Sequence, residues 1–151
     1  MGLFSFFKKP TIIHDHYFGP LLLVDFKDAS KNYFEGKGYF APADSETEYL
    51  IHAGMEGPTE QQKEFYKNLQ ADFAAYIIKM KPLIENEFRN WHEQFEIKDF
   101  GKEFKLVNIT IPRLDNTPAE WDMSFTTLHD LDHHITVYFV GDQPTGILVD
   151  G

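Results

Sequence analysis

Residues 59–95 read TEQQKEFYKNLQADFAAYIIKMKPLIENEFRNWHEQF, and their periodicity is the clearest in the chain. Apolar side chains recur at positions 65, 66, 69, 73, 76, 77, 80, 83, 84, 88, 91 and 95. Steps of three and four hold one face of an α-helix for about eight turns. Gln62, Lys63, Lys67, Asn68, Asp72, Lys79 and Glu85 take the other side. The start is marked twice. Gly57-Pro58 breaks the chain, and Thr59 stands three residues before Gln62. At that spacing each side chain satisfies an orphan backbone N–H of the first turn. Pro82 lies inside the pattern, where it removes a donor and crowds the preceding turn. The stripe keeps its phase across it. The pattern therefore predicts one Pro-kinked helix, or two nearly collinear ones, ending near Phe95. Aromatic rings at helical spacing mean packing rather than a cofactor box.

On both sides of this helix the period falls to two. Ahead of it, residues 11–26 are extended around the turn signal Gly19-Pro20, with Leu21 to Phe26 of strand length. Tyr33 to Phe40 is aromatic, and Gly36 and Gly38 interrupt it, which signals a bulge or a close backbone contact. Thr47 to His52 alternates again, so residues 11–53 read as an antiparallel meander. After Asp99-Phe100-Gly101 come alternating runs at Phe104 to Ile111, Trp121 to Thr127, His133 to Val140 and Thr145 to Val149. His129 to Asp132 reads as a polar turn. Strands, a long helix and strands again give an α+β fold. A largely antiparallel sheet, the N-terminal meander plus the C-terminal strands, packs against the one long helix. Residues 1–10 are a tail and residues 11–151 a single domain.

Composition narrows the function. The chain has 151 residues, Phe 15, Tyr 7, Trp 2 and no Cys. Disulfide scaffolds, thiol catalysis and Cys-ligated metals are excluded. The net charge of −10 argues against a nucleic-acid binder, because phosphate neutralisation needs clustered Lys and Arg. Residues 104–151 carry half of that charge, their only cations being Lys105 and Arg113. An acidic surface of this kind steers a basic protein partner. The opening MGLFSFFKK places its lysines after a short apolar run, the reverse of a secretory signal. Phe6 stands where the myristoylation pattern needs Ser or Thr. No apolar run approaches the roughly 20 residues that span a bilayer. The expectation is a cytoplasmic protein with no membrane segment.

Histidines are the most suggestive chemical feature. His14-Asp15-His16 places two imidazoles near each other, and the run 129–134 adds His129, His133 and His134 beside two carboxylates. His14, His16, His129 and His133 thus form one candidate ligand set for zinc, manganese or iron, and a metal-dependent hydrolase is the alternative reading. The spacing matches no defined metal motif, HExxH included. No phosphate-cradling glycine loop and no GxSxG elbow occur. Ser124 with His133 or His134 is the only serine–histidine pairing worth noting, and a polar sheet face explains it as well. The leading expectation names no catalytic residue, cofactor or metal. The aromatic content also permits a small-molecule pocket between helix and sheet.

Several of these landmarks together resemble a loose group of uncharacterised bacterial domains. They are Asp15-His16-Tyr17-Phe18-Gly19-Pro20-Leu21, then Gly57-Pro58-Thr59 with its long helix. Trp121 to Thr127, Asp132-His133-His134, Ile135 to Phe139 and Gly146 to Gly151 complete the pattern. Some members look like immunity proteins encoded beside polymorphic toxins, which they neutralise by direct binding. The resemblance implies a non-catalytic binding or inhibitor protein and carries over no catalytic residue. On that reading the acidic C-terminal sheet and turns are the contact surface. Asp130, Asp132 and Asp142 supply charge there, and Trp121 supplies an aromatic anchor.

Overall fold

The runs of period two become the strands of one eight-stranded sheet in the computed structural model, which describes residues 9–151. The tail reading of residues 1–10 lies, except for Lys9 and Pro10, outside the described residues. In chain order the elements are β1 (Ile12–Asp15), β2 (Gly19–Val24), β3 (Tyr33–Phe40) and β4 (Ser45–Ile51). Helix α1 (Glu60–Phe88) and the short α2 (Phe100–Glu103) follow. Strands β5 (Phe104–Ile111), β6 (Glu120–Thr127), β7 (Asp130–Val140) and β8 (Gln143–Asp150) complete the chain. The strands lie across the sheet in sequence order, β1 to β8. Every neighbouring pair is antiparallel except β4 and β5. Helix α1 returns the chain to the end it left, so two four-stranded meanders join side by side through one parallel junction. The α+β reading and the 11–53 meander hold.

One face of the sheet carries the core. Leu21, Phe34, Phe40, Ile51, Ile109, Met123, Phe125, Val137 and Phe139 are all buried. They meet Tyr66, Leu69, Phe73, Met80, Ile84 and Phe88 from α1. Rings interlock along the seam, Phe40 edge-on to Phe73 at 5.0 Å and Tyr76 edge-on to Trp121 at 5.4 Å. Close approach explains Gly36. A Cβ there would lie 2.5 Å from Leu21 Cδ2 and 2.6 Å from Tyr49 Cε2, so only glycine lets the Tyr49 ring lie against β3. The Tyr49 hydroxyl donates to Phe18 O at 2.6 Å and Lys37 O at 3.1 Å. Burial pushes its pKa up to about 12.

The helix starts as its capping box predicts. Thr59 Oγ1 accepts from Gln62 N at 3.2 Å, and Gln62 Oε1 accepts from Thr59 N at 3.0 Å. Gln62 also does something no spacing rule foretells. Its Nε2 donates to His52 O at 2.7 Å and Pro112 O at 2.9 Å. These carbonyls lie just past the carboxyl ends of the two parallel strands. The buried amide therefore pins the helix start to both.

Two expected boundaries move. The helix runs unbroken through Pro82, which is exposed beside an exposed Ile78, so the carbonyl left without a donor lies on the wet side. It then stops at Phe88, not near Phe95. Trp91 is 56 % exposed, and the chain doubles back so that Phe95 stacks on Phe88 at 4.7 Å. Glu85 Oε2 accepts Ile97 N and fixes the return. Phe95 belongs to the core, but through a reversal that mimics helical spacing. Likewise, residues 129–132 are not a turn. The chain reverses at Leu128-His129, and Asp130 already belongs to β7. A register irregularity between Phe125 and Thr127 accommodates the extra β7 residues.

Candidate open-face site

Because side chains alternate across a strand, the core face fixes what the other face holds. Partners in register share a face, which gives one row as Ile12, Leu22, Glu35, Leu50, Thr110, Asp122, Tyr138 and Gly146. A second runs Lys37, Glu48, Asn108, Ser124, Thr136 and Leu148. His14 with Pro20, Val24 with Tyr33, Tyr39 with Glu46, Lys105 with Thr126, Glu120 with Val140 and Gln143, and His134 with Asp150 lie on the same face. The long helix lies on the opposite side, and among the described residues no helix of comparable length covers this face. Its carboxylates are Glu35, Glu46, Glu48, Glu120, Asp122 and Asp150; its ammonium groups are Lys37, bridged to Glu46 at 3.2 Å, and Lys105. Ile12, Tyr39, Tyr138 and Leu148 are exposed here.

The face deepens at the carboxyl ends of β4 and β5. A cavity of about 470 Å³ is lined by His52, Thr110, Glu120, Asp122, Tyr138 and Thr145, among others. A second, of about 670 Å³, shares His52 and Glu120 and adds Ser30, Arg113, Asp115 and Asn116. The irregular segments before β3 and after β5 form its walls, tied where Arg113 Nη2 donates to Ala29 O at 3.3 Å. Thr110 Oγ1 donates to Asp122 Oδ1 at 3.0 Å. The Tyr33 ring lies 5.8 Å from that of His52. Burial, then the Arg113 charge, lowers the His52 pKa and favours neutral imidazole. Burial raises the Asp122 pKa, and the Thr110 hydroxyl only partly offsets it.

That shift has a testable sign. The unfolded chain releases the Asp122 proton near 3.8 and the folded chain at a higher pH. In between, the folded state holds more protons, so this group's stability contribution falls as pH rises through the window. Asp122→Asn removes the titration. It is expected to be more stable than the parent at neutral pH, the gap closing below about pH 4. Urea unfolding of both proteins across that range checks this; a gap independent of pH would count against it.

The residues singled out in the sequence do not gather at this site. Trp121 is not an exposed anchor but a core residue, 3 % exposed, because it falls on the inward parity of β6. It stacks on Phe139 at 4.3 Å, and its Nε1–H donates to Gly141 O at 2.8 Å. Asp130 accepts from His133 Nδ1 at 2.8 Å and lies near Asp132 at one end of β7. Asp142 lies past the other end, roughly 30 Å away by strand length, in an ion pair with Lys79 at 2.9 Å. The three aspartates are thus not one patch.

The histidines of the metal reading are also dispersed. His14 is on edge strand β1, and His16 in the turn that follows. His133 is on β7, six strand positions away, roughly 30 Å. His129 is engaged by Glu103 Oε1 at 2.8 Å and meets the Phe95 ring edge-on. Among the described residues no group of three or more His, Asp or Glu side chains is placed to hold a metal. Asp15, at the head of the N-terminal motif, is a turn-former. Its Oδ1 accepts from Tyr17 N and Phe18 N at 2.8 Å each, just before Gly19 turns with a φ of 77°. Ser124 pairs with Thr136 at 2.9 Å rather than with a histidine. His52, Arg113, Asp122 and Tyr138 were missed as a group. Asp122 and Tyr138 come from β6 and β7, His52 and Arg113 from the segments just past β4 and β5, and only strand order brings them together. No helix among the described residues is long and apolar enough to cross a membrane. No protein-family model, curated protein or solved structure matches the chain.

Proposed function

We propose that this chain is a non-catalytic protein-binding domain, an inhibitor of the immunity type, whose open sheet face receives a basic protein in the cytoplasm. One observation carries the reading: among the described residues no long helix covers a broad sheet face that holds Glu35, Glu46, Glu48, Glu120, Asp122 and Asp150 against Lys37 and Lys105. Carboxylates in excess over ammonium groups steer a cationic partner and reject an anionic one. The exposed rings of Tyr39 and Tyr138, with Leu148 and Ile12, supply the apolar contacts that hold a partner once it has arrived. The sequence reading took the acidic C-terminal sheet and turns, with Asp130, Asp132 and Asp142, as the contact surface; this proposal moves the contact to the open sheet face between those aspartates.

The test compares two charge-reversed proteins. One carries Glu35→Lys, Glu48→Lys and Asp150→Lys on the open face. The other carries Glu60→Lys, Glu64→Lys and Glu93→Lys on or just beyond the helix. A partner captured by the wild type at low salt is expected to be basic and to bind the first variant at least about tenfold more weakly, with the control unchanged. Equal retention by both variants, or equal loss, would overturn the assignment of this face.

A further inference from the structure

Two adjoining cavities share His52 and Glu120; Asp122 lines one, and Arg113, with Asp115 beside it, lines the other. Arg113 hangs from the loop after β5, and its Nε is buried with no hydrogen-bond partner. Asp122 is half-buried on β6, held by the Thr110 hydroxyl alone among the hydrogen bonds to its carboxylate. Among the described residues neither forms an ion pair. An unpaired buried donor and a half-desolvated carboxylate both cost stability. A ligand with one charge would satisfy one and leave the other. A ligand with a carboxylate and an ammonium group satisfies both. His52 and Glu120 line both cavities, so the two adjoin. Both volumes fall within the range of about 300–1,000 Å³ usual for small-molecule sites.

We propose that the His52 cavities bind a small zwitterion, an amino acid or related aminocarboxylate, with its carboxylate on Arg113 and its ammonium group on Asp122. Glu120 lines both cavities, and Tyr138 lines the one that holds Asp122, where an aromatic ring attracts the same cation. The neutral His52 imidazole between them serves either group as donor or acceptor without adding charge. The site does not depend on the protein partner proposed above and stands or falls separately.

Titration followed by amide NMR tests it, with glycine, β-alanine, γ-aminobutyrate and ε-aminocaproate as probes. Butyrate and butylammonium serve as singly charged halves. One zwitterion is expected to give saturable shifts at His52, Arg113 and Asp122, binding at least about tenfold more tightly than either half. Arg113→Gln and Asp122→Asn are each expected to lose that margin while keeping the remaining spectrum. No saturable shift with any probe, or a half that binds as well as the best zwitterion, would overturn the proposal. So would a margin that survives in either variant. If a variant fails to fold, the wild-type comparison of zwitterion with halves decides alone.

Discussion

Replacing Trp121 by alanine is expected to cost about 3–5 kcal/mol of unfolding free energy, the usual loss for deleting a buried large aromatic. The ring is enclosed on several sides. It stacks on Phe139 at 4.3 Å, meets Phe65 edge-on at 5.1 Å and Tyr76 at 5.4 Å, and spends its indole N–H on Gly141 O. Truncation leaves a void between α1 and the sheet, together with a carbonyl that has lost its donor. A surface anchor would behave otherwise, because exposed substitutions change stability by no more than about 0.5 kcal/mol. Urea unfolding separates the two. Far-UV circular dichroism follows both proteins, because Trp121→Ala removes one of only two tryptophans and with it the buried fluorophore. A loss below about 1 kcal/mol in Trp121→Ala would contradict its place in the core.

Gln62→Ala is expected to cost about 2–5 kcal/mol, although it removes only a polar side chain. The amide makes three hydrogen bonds from a position 1 % exposed, to Thr59 N, His52 O and Pro112 O. Its loss breaks the capping box and strands two carbonyls, each worth about 1–3 kcal/mol when buried without a partner. Gln62→Glu is the sharper comparison. It keeps an acceptor for Thr59 N but removes both donors and sets a carboxylate against two carbonyl oxygens. At neutral pH it is expected to be at least as damaging as alanine. Thermal unfolding of both variants checks this. A glutamate variant as stable as the parent would show that this amide does not hold the junction.

These variants also mark how far the sequence was legible. The helix start at Thr59-Gln62 was readable because capping is local: one side chain meets one N–H three residues away. The meander of β1 to β4 was readable because alternation and short turns are local too. The stop at Phe88 was not, since Phe95 reaches the core by reversing the chain, and a reversal can reproduce a helical step. Trp121 was given to the surface although its alternation with Met123 and Phe125 already placed it on the inward side of β6. Charge in the flanking turns drew the reading away from that parity. The His52 site was beyond reach. Its side chains come from β5, β6, β7 and the segments just past β4 and β5, and the step that assembles them is the parallel pairing of β4 with β5. Periodicity alone does not specify that pairing.

The same pairing bears on how the chain reaches its native state. In seven of the eight strands taken from β1 onward, the next neighbour in space is also the next strand in sequence, and in all but one of those links it follows a brief connection. Each four-stranded half is therefore assembled from near contacts that cost little loop entropy. Only the meeting of Ile51 with Ile111 must wait for everything between β4 and β5, the long helix included, to be drawn in. The search for the native topology narrows to a single long-range closure, and the Gln62 amide sits where that closure is sealed.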